Sequence, residues 1–291
     1  MGWRTVVVSK PSKLDLRLGY MVVRDSESTI RVHINEIIVL IIENTMSSIT
    51  TALLNELTKQ KIKVIFCDEK QSPSSELVSY YGCHDCSRKL KDQIRWQDVY
   101  KQMVWTVIVT EKIKMQAENL DFFDLKQSKL LYSYLDEIEF NDATNREGHA
   151  AKVYFNALFG KSFTRSDDNP INAMLNYGYS IILSCFNREI VSSGYLTQLG
   201  LFHDNVNNPY NLSCDMMEPF RPIIDRFVKI YNPTKFEKEE KYEILTILNK
   251  EFIMNSRKLT LINAIKSYSH SIFEAIESGD TSLIKFYNYE L

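Results

Sequence analysis

The sequence predicts an α+β protein in which a small β-rich N-terminal domain, containing one helix, precedes a larger all-α domain. Alternating and β-branched segments of strand length dominate residues 1–70. After the polar, turn-forming stretch Gln71–Ser75, the spacing of apolar residues becomes helical. The length of 291 residues, with 44% hydrophobic and 25% charged residues, allows two folded domains and argues against disorder.

Strands are predicted where apolar residues alternate or run together in the N-terminal part. Ile37–Ile42 (IIVLII) is apolar throughout, which indicates a fully buried strand. A turn at Leu18-Gly19 separates two of the alternating segments. The predicted strands are residues 3–8, Lys13–Arg17, Tyr20–Arg24, Thr29–Ile34, Ile37–Ile42 and Lys61–Cys67.

One helix interrupts these strands, and seven follow them. Ser47–Gln60 places its apolar residues on one helical face, with Ser47 and Ser48 as N-cap candidates. We therefore predict a β-rich domain over residues 1–70, a linker over 71–90 and a helical domain over 91–291. The seven later helices are predicted at Trp96–Ala117, Leu125–Glu139, Thr144–Phe159, Asn169–Val191, Met216–Ile230, Glu239–Lys250 and Leu259–Ser278.

Composition and simple motifs narrow the class of protein. The net charge of −2 does not indicate a nucleic-acid-binding protein, so any basic surface must be local. Neither a P-loop nor a GxGxxG motif is present, which disfavours an enzyme driven by the hydrolysis of a nucleoside triphosphate. No apolar leader follows Met1, and the longest apolar run is the six residues of Ile37–Ile42, whereas a membrane span needs about 20. We expect a soluble, intracellular protein.

The five cysteines, an odd number, are predicted to be reduced thiols. Cys83 and Cys86, with His84 between them, have the spacing of half a zinc site, but no second pair completes it. The remaining cysteines are predicted to be core residues without a nucleophilic role: Cys67, Cys185 and Cys214.

Candidate catalytic residues lie in two separated stretches. Glu147, in the sequence NREGH, opens a predicted helix, and His203 is followed by Asp215 and Glu218 within sixteen residues. One hypothesis is that Glu147, His203 and Glu218 meet around a divalent metal that acts on DNA phosphates. His149 points away from Glu147 on a helix, so we do not expect it to share the metal.

A structural alternative explains these acids as helix caps. Thr144 and Glu147 have the spacing of a capping box, and so do Asp215 and Glu218. Pro219 disfavours helical backbone for the residue before it, which predicts that Glu218 lies at a helix start or kink with its carboxylate exposed. The sequence leaves both readings of the acids open.

The metal hypothesis rests on the chemistry of this donor set. Carboxylates with one imidazole suit Mg²⁺ or Mn²⁺, and the nitrogen ligand favours Mn²⁺. Such a metal can polarise a phosphodiester and activate a water or a 3′-hydroxyl. A lone loop histidine such as His203 is more often solvated or hydrogen-bonded, and it is the acids after it that favour the metal.

A basic run near the start of the helical part indicates contact with a DNA backbone. Arg88, Lys89 and Arg95 belong to this run, and the alternative is a solvated helix face. The aromatic residues interleaved with it are Tyr80, Tyr81 and Trp96. Arg146 and Arg221 each lie beside a proposed ligand, where they either hold a phosphate or balance the carboxylates.

Six stretches are specific enough to compare with known families: GWRTVVV, VIFCDEK, NREGHAAKVYFNALFG, NPINAMLNYGYSIIL, TQLGLFHDN and NLSCDMMEPFRPIID. Together they resemble the CRISPR-associated spacer-acquisition integrases in their type II-A form. The resemblance runs from the N-terminus to about residue 230 and covers both predicted domains. The remaining C-terminal residues match only loosely.

The resemblance implies an N-terminal domain that forms a homodimer and a helical, metal-binding catalytic domain. It implies Mn²⁺ or Mg²⁺ bound by Glu147, His203 and Glu218, with Asp215 as a nearby acid. It implies two dimers bridged by a dimer of the family's small ferredoxin-like partner, in the cytoplasm of a prokaryote. The implied reaction is attack by the 3′-hydroxyl of a captured double-stranded DNA fragment on the repeat border of a CRISPR array. The family is also described as endonucleases that cut branched DNA.

The chain departs from the family pattern after the predicted linker. Where relatives tend to have a GRHDS-like turn, this chain has Gly82-Cys83-His84-Asp85-Cys86, so Cys83 replaces an arginine expected to meet phosphate. Three hypotheses therefore stand: a metal-dependent integrase, a nuclease for branched DNA in which water replaces the 3′-hydroxyl, and a non-catalytic helical DNA-binding scaffold.

Overall fold

The computed structural model describes residues 4–79 and 84–289 of the chain. These residues separate into two compact units, one formed by Met1–Cys86 with Val191–Gly194 and the other by Ser87–Ile190 with Tyr195–Leu291. Several residues assigned a role from the sequence lie outside the described residues: Trp3, Tyr80, Tyr81, Gly82 and Cys83. The zinc and phosphate hypotheses at Cys83 therefore stay predictions.

The first unit is β-rich and contains one α-helix. Its elements in chain order are β1 (Arg4–Val8), β2 (Lys13–Arg17), β3 (Tyr20–Arg24), β4 (Thr29–His33), β5 (Ile37–Ile42), β6 (Ser48–Ile49), α1 (Thr51–Lys59), β7 (Lys63–Cys67) and β8 (Pro73–Leu77). They form two four-stranded sheets with the orders β1-β5-β7-β8 and β4-β3-β2-β6. β5 pairs in parallel with β1 and β7, and β8 pairs antiparallel to β7.

The core of this unit follows the predicted pattern. All six residues of β5 are buried, as its uninterrupted apolar sequence predicted, and Leu53 and Leu57 of α1 join the same core. The β2–β3 turn falls at Leu18-Gly19, where both residues have positive φ, 51° and 78°. The start of α1 was predicted wrongly. Thr50 caps the helix by accepting the N–H of Leu53, because the residues before it form β6.

The segment 71–90, predicted to be a linker, contains regular structure. Pro73–Leu77 is the edge strand β8 and not the turn that its proline and serines indicated. Pro73 is tolerated there because it opens an edge strand and pairs at an irregular position opposite Cys67, where its missing N–H breaks no regular ladder.

The second unit is mostly helical. Its elements are α2 (Cys86–Ile94), α3 (Asp98–Phe122), α4 (Ser128–Leu135), α5 (Arg146–Phe159), α6 (Pro170–Ser192), α7 (Asn211–Met217), α8 (Arg221–Tyr231), α9 (Lys238–Leu245), β9 (Glu251–Met254), β10 (Arg257–Thr260) and α10 (Leu261–Ser278). A β-rich part followed by a mostly helical part confirms the predicted fold class. In the described part of the chain, no helix is long and apolar enough to cross a membrane.

The prediction that the second domain is all-α was wrong, because β9 and β10 form an antiparallel hairpin. Its two-residue turn is Asn255-Ser256, with φ of 51° and 60° at the two positions, which is the backbone that favours tight hairpins. The predicted helix Glu239–Lys250 therefore ends earlier, at Leu245. The predicted helix Met216–Ile230 is divided into α7 and α8 by a 3₁₀ turn at Glu218–Phe220.

Candidate active site

The site is built along one face of α3. Trp105, Lys112 and Asn119 follow one another at intervals of seven residues, so they lie on one side of a helix with 3.6 residues per turn. All three are buried. Trp105 contacts the loop that carries His203, Lys112 contacts two of the predicted acids, and Asn119 belongs to a second polar cluster deeper along the helix.

Lys112 joins two carboxylates that are distant in the sequence. Its Nζ donates to Glu147 and also to Glu218. Burial lowers the pKa of Lys112, but the charges of Glu218 and Glu147 outweigh that effect and raise it above its usual value. The ammonium is therefore charged, and it balances two buried or partly buried acids.

Glu147 reaches Lys112 from the first turn of α5. That turn is capped by Asp142, whose carboxylate accepts the backbone N–H groups of Arg146 at 2.7 Å and Glu147 at 3.1 Å. The predicted capping box with Thr144 is wrong, since α5 begins at Arg146 and Asn145 precedes it in left-handed backbone with φ of 53°. Because Asp142 does the capping, the Glu147 side chain is available to pair with Lys112.

Glu218 lies at the predicted kink, in the 3₁₀ turn between α7 and α8. The expectation that its carboxylate is exposed was wrong, because the side chain is only 7% exposed. Burial opposes its ionisation, but the charges of Arg221 and Lys112 outweigh burial and lower the pKa of Glu218 below its usual value. Arg221 Nε lies 3.0 Å from Glu218 Oε1. The next residue, Pro219, has its carbonyl bonded at 2.8 Å by the Tyr287 hydroxyl.

His203 is fixed by Asp215. This carboxylate is fully buried and accepts the backbone N–H groups of Leu201 at 2.6 Å, Phe202 at 3.0 Å and His203 at 3.2 Å. It also bonds His203 Nδ1. The capping-box alternative for Asp215 is therefore wrong, because it lies inside α7 and organises the histidine loop instead of a helix start.

The imidazole of His203 is half-exposed and its orientation is set on two sides. Trp105 meets the ring edge-on at a centroid distance of 5.8 Å, while Asp215 occupies Nδ1. The hydrogen bond to Asp215 raises the pKa of His203, although burial opposes the shift. With Nδ1 engaged, Nε2 is the ring nitrogen that can bind a ligand. The charge of Glu218 also raises this pKa.

These groups fit a divalent metal in their chemistry. Two carboxylates already meet at one cation, and a histidine with a carboxylate behind its Nδ1 has the arrangement of a metal-bound histidine. Within residues 4–79 and 84–289, no three His, Cys, Asp or Glu side chains are placed so that they could hold a metal as they stand. The ammonium of Lys112 stands between the two glutamates. The metal set of Glu147, His203 and Glu218 therefore stays a prediction.

The five predicted DNA contacts differ in exposure and in their ion pairs. Arg88 and Arg95 are exposed, in and just after α2, whereas Lys89 pairs with Glu277 at 3.0 Å. Arg146 pairs with Glu137 at 2.7 Å, and Arg221 balances Glu218, as one of the sequence alternatives had it. The described cysteines form no disulfides; Cys67 and Cys185 are buried, and Cys86 and Cys214 are half-buried.

The sequence did not reveal Lys112, Trp105 or Asp142 as parts of the site. Lys112 carried a usable signal, because it lies three or four residues from apolar Ile108 and Val109 and so belongs to the buried face of α3. A lysine on such a face needs a buried acid as its partner. The sequence did not show which acid this would be, since Glu147 is 35 residues away and Glu218 is 106 away.

The fold and the site together describe a protein with a β-rich unit and a helical unit, in which the helical unit holds acids and a histidine by buried partners, an arrangement frequent at functional sites. Comparison with protein families identifies the group. The chain belongs to the Cas1 family, since the family model described as CRISPR associated protein Cas1 matches residues 5–254. The resemblance found in the sequence motifs is thereby confirmed, while the type II-A assignment stays a prediction.

Individual relatives agree with this family. The chain is 36% identical over 227 residues to the CRISPR-associated endonuclease Cas1 of Neisseria meningitidis serogroup C (strain 8013), covering 77% of this chain and 74% of the relative. The solved structure of a casposase bound to integration product aligns with 95% of this chain and 91% of the casposase chain, with a TM-score of 0.77 and 16% identity. A chain of a solved Cas6-RT-Cas1--Cas2 complex aligns with 97% of this chain, with a TM-score of 0.74 and 16% identity. The alignment covers 36% of the chain in that complex. At these identities the two structures support the fold.

Proposed function

We propose that this chain is a CRISPR-associated DNA integrase and endonuclease. It would insert captured DNA fragments into a CRISPR array by transesterification, with the 3′-hydroxyl of the fragment attacking the repeat border. The observation that supports this proposal is the meeting of Glu147 and Glu218 at Lys112, beside a His203 held by Asp215, in a chain of the Cas1 family.

Glu147, His203 and Glu218 would hold Mn²⁺ or Mg²⁺, which when bound would polarise the phosphodiester and stabilise charge on the attacking and leaving oxygens. Asp215 would fix the histidine tautomer, because its bond to Nδ1 presents Nε2 to the site. Arg221 would hold Glu218 in one orientation, since its guanidinium contacts the carboxylate at 3.0 Å and lies 4.9 Å over the Tyr179 ring. These positioning contacts would keep the ligands preorganised.

DNA would be held by its backbone and not by its sequence. Arg88 lies in α2 and Arg95 directly follows its last residue, and both side chains are exposed. Exposed arginines there would contact DNA phosphates whatever the base sequence of the DNA. Lys89 is a weaker candidate, because Glu277 and Tyr195 already engage its ammonium at 3.0 Å each.

The assembly would contain a homodimer formed through the first unit, with two dimers bridged by a dimer of the small ferredoxin-like Cas2 protein. Support comes from the structurally similar Cas6-RT-Cas1--Cas2 complex. Light scattering on the chain alone and mixed with the Cas2 protein tests this assembly. A monomeric mass for the chain alone, or no change on mixing, would contradict it.

The reaction is tested with a DNA fragment carrying 3′-hydroxyl ends, a supercoiled plasmid with the array, Mn²⁺ and the Cas2 protein. We expect covalently joined product from the wild type and none from Glu147→Gln or His203→Ala. His149→Ala is the matched control, since His149 is an exposed residue on the same helix as Glu147 and should leave joining unchanged. Full Mn²⁺-dependent joining by either site variant would refute the assignment.

A second candidate is a nuclease for branched DNA that uses the same residues with water as the nucleophile. The Neisseria relative is a CRISPR-associated endonuclease Cas1, which favours this second function. Product analysis separates the two functions, because joined DNA forms only when a 3′-hydroxyl attacks. The non-catalytic scaffold loses its structural basis, since neither Thr144 with Glu147 nor Asp215 with Glu218 forms a capping box.

A further inference from the structure

Lys112 lies where the two predicted metal-binding carboxylates meet. Its Nζ donates to both Glu147 and Glu218, and only 8% of its side chain is exposed. Two carboxylates held side by side repel each other unless a cation stands with them. Lys112 supplies such a cation from the chain itself.

We propose that Lys112 is a built-in counter-cation, which takes the place of the metal in the metal-free site and is exchanged for the metal when it binds. The proposal rests on the proposed function, which names Glu147 and Glu218 as ligands. It has two consequences. Lys112 holds the two glutamates together without metal, and it weakens the affinity of the site for a divalent cation.

The lysine side chain suits such an exchange. Its four-carbon stem is flexible and its ammonium is a compact charge, so Nζ can withdraw while α3 stays in place. Glu147 is 29% exposed and His203 is half-exposed, so the metal has an approach from solvent. Arg221 does not play the same part, because it contacts Glu218 alone of the two glutamates and rests against the Tyr179 ring.

The alternative is that Lys112 only stabilises the fold, as any buried ion pair partner does. Both ideas predict a loss of stability when the ammonium is removed. They differ in what a metal does afterwards. A metal that replaces the ammonium binds more tightly when the ammonium is gone, because a positive charge no longer competes for the same oxygens. A purely structural lysine, once removed, leaves a disordered site that binds the metal no better.

The test measures Mn²⁺ binding to metal-stripped protein, by isothermal titration and by the loss of the free Mn²⁺ electron-spin signal. We expect Lys112→Met to lower the Kd for Mn²⁺ at least about tenfold relative to the wild type. Lys114→Met is the matched control, because Lys114 is partly exposed on the same helix, pairs with Glu111 at 3.2 Å and should leave the Kd unchanged. In EDTA the Tm of Lys112→Met should fall below that of the wild type, and Mn²⁺ should narrow the gap.

Each outcome decides one of the proposals. Equal or weaker Mn²⁺ binding by Lys112→Met than by the wild type overturns the counter-cation proposal and leaves the metal-dependent function standing. An absence of Mn²⁺ binding in the wild type and in the variant overturns the metal assignment as well. If Lys112→Met is unfolded in EDTA, it and Lys112→Gln are refolded with Mn²⁺. Recovery of the fold supports the exchange, and failure of both variants to recover refutes it.

Discussion

Two polar clusters lie on the same face of α3, seven residues apart, and they accommodate burial in different ways. The cluster at Lys112 contains full charges, with one ammonium between two carboxylates. The cluster at Asn119 is held by an amide. Asn119 Nδ2 donates to the Tyr154 hydroxyl and to the Pro222 carbonyl, both at 2.8 Å, and Oδ1 accepts from Arg226 Nε at 2.7 Å.

The difference indicates which cluster can change its partners. Glu147 and His203 are partly exposed, and a lysine on a flexible stem can give way to another cation. Asn119 and Tyr154 are fully buried, and the amide serves α5 and α8 at once, so no bond can break without leaving a buried polar group unpaired. We infer that the Asn119 cluster is a rigid support for the Lys112 cluster, whose carboxylates can exchange one cation for another.

The strongest test of this comparison is Asn119→Leu. We expect a loss of about 3–5 kcal/mol in the free energy of unfolding, because the variant leaves Arg226, the Tyr154 hydroxyl and the Pro222 carbonyl without their partner. Urea unfolding with and without Mn²⁺ measures it. Metal should restore none of the loss, in contrast to Lys112→Met. The exposed Asn55→Leu, in α1, should change stability by less than about 0.5 kcal/mol. A loss below about 1 kcal/mol for Asn119→Leu would contradict the inference that the Asn119 cluster is a rigid support.

A buried acid beside this cluster gives a prediction with a pH dependence. Asp225 is fully buried and accepts a hydrogen bond from the Tyr179 hydroxyl. Burial raises its pKa from 3.8 to about 6, although Tyr179, Arg165, Tyr154 and Arg221 act in the opposite direction. The folded protein therefore holds this proton more tightly than the unfolded chain does.

The higher pKa of Asp225 in the folded state determines how stability changes with pH. The stabilisation by the Asp225 proton is fully present below the unfolded pKa and is lost as the pH rises through the folded pKa of about 6. A shift of roughly 2 pKa units corresponds to about 3 kcal/mol. Asp225→Asn removes this titration, so its free energy of unfolding relative to the wild type should rise by up to about 3 kcal/mol between pH 4 and pH 7. Urea unfolding at several pH values measures this difference, and a difference independent of pH would contradict the prediction.

The sequence predicted well what depends on local pattern. The run Ile37–Ile42 was a sufficient signal for the central strand β5, and the Leu18-Gly19 turn was found from residue type alone. It predicted poorly what depends on a partner. Pro73–Leu77 is a strand because β7 offers it an edge, and Glu251–Met254 is a strand because β10 pairs with it. Neither segment has an alternation strong enough to reveal this by itself.

The same division runs through the candidate site. Glu147, His203, Asp215 and Glu218 were selected from the sequence by their motifs, and the structure brings Glu147 and Glu218 to one ammonium and His203 to Asp215. Both capping boxes satisfied the local spacing rule and were still wrong. Asp142 caps α5, and the backbone N–H groups of the histidine loop bond Asp215. Only the folded chain brings these groups together.

A smaller effect is expected where the loop of His203 folds over Asp215. A Cβ at Gly200 would lie 2.3 Å from the His203 carbonyl oxygen and 2.8 Å from Asp215 Oδ2, so Gly200→Ala must displace this loop. We expect a loss of about 1–3 kcal/mol, measured by thermal unfolding, together with weaker DNA joining. Gly148→Ala is the matched control. Its Cβ meets only the Asn145 side chain, at 2.9 Å, and alanine favours the helix, so stability should change by less than about 1 kcal/mol.

The smallest expected effect concerns how Glu147 is positioned. Asp142→Ala removes the acceptor for the N–H groups of Arg146 and Glu147 and should cost about 1 kcal/mol in the free energy of unfolding. Thr144→Val should cost less than about 0.5 kcal/mol, because the Thr144 hydroxyl is buried and has no hydrogen-bond partner among the residues that the structure describes. Urea unfolding of both variants measures the contrast. An equal cost would restore the capping box of Thr144 and Glu147, and Glu147 would then be held by its own helix start and not by Lys112.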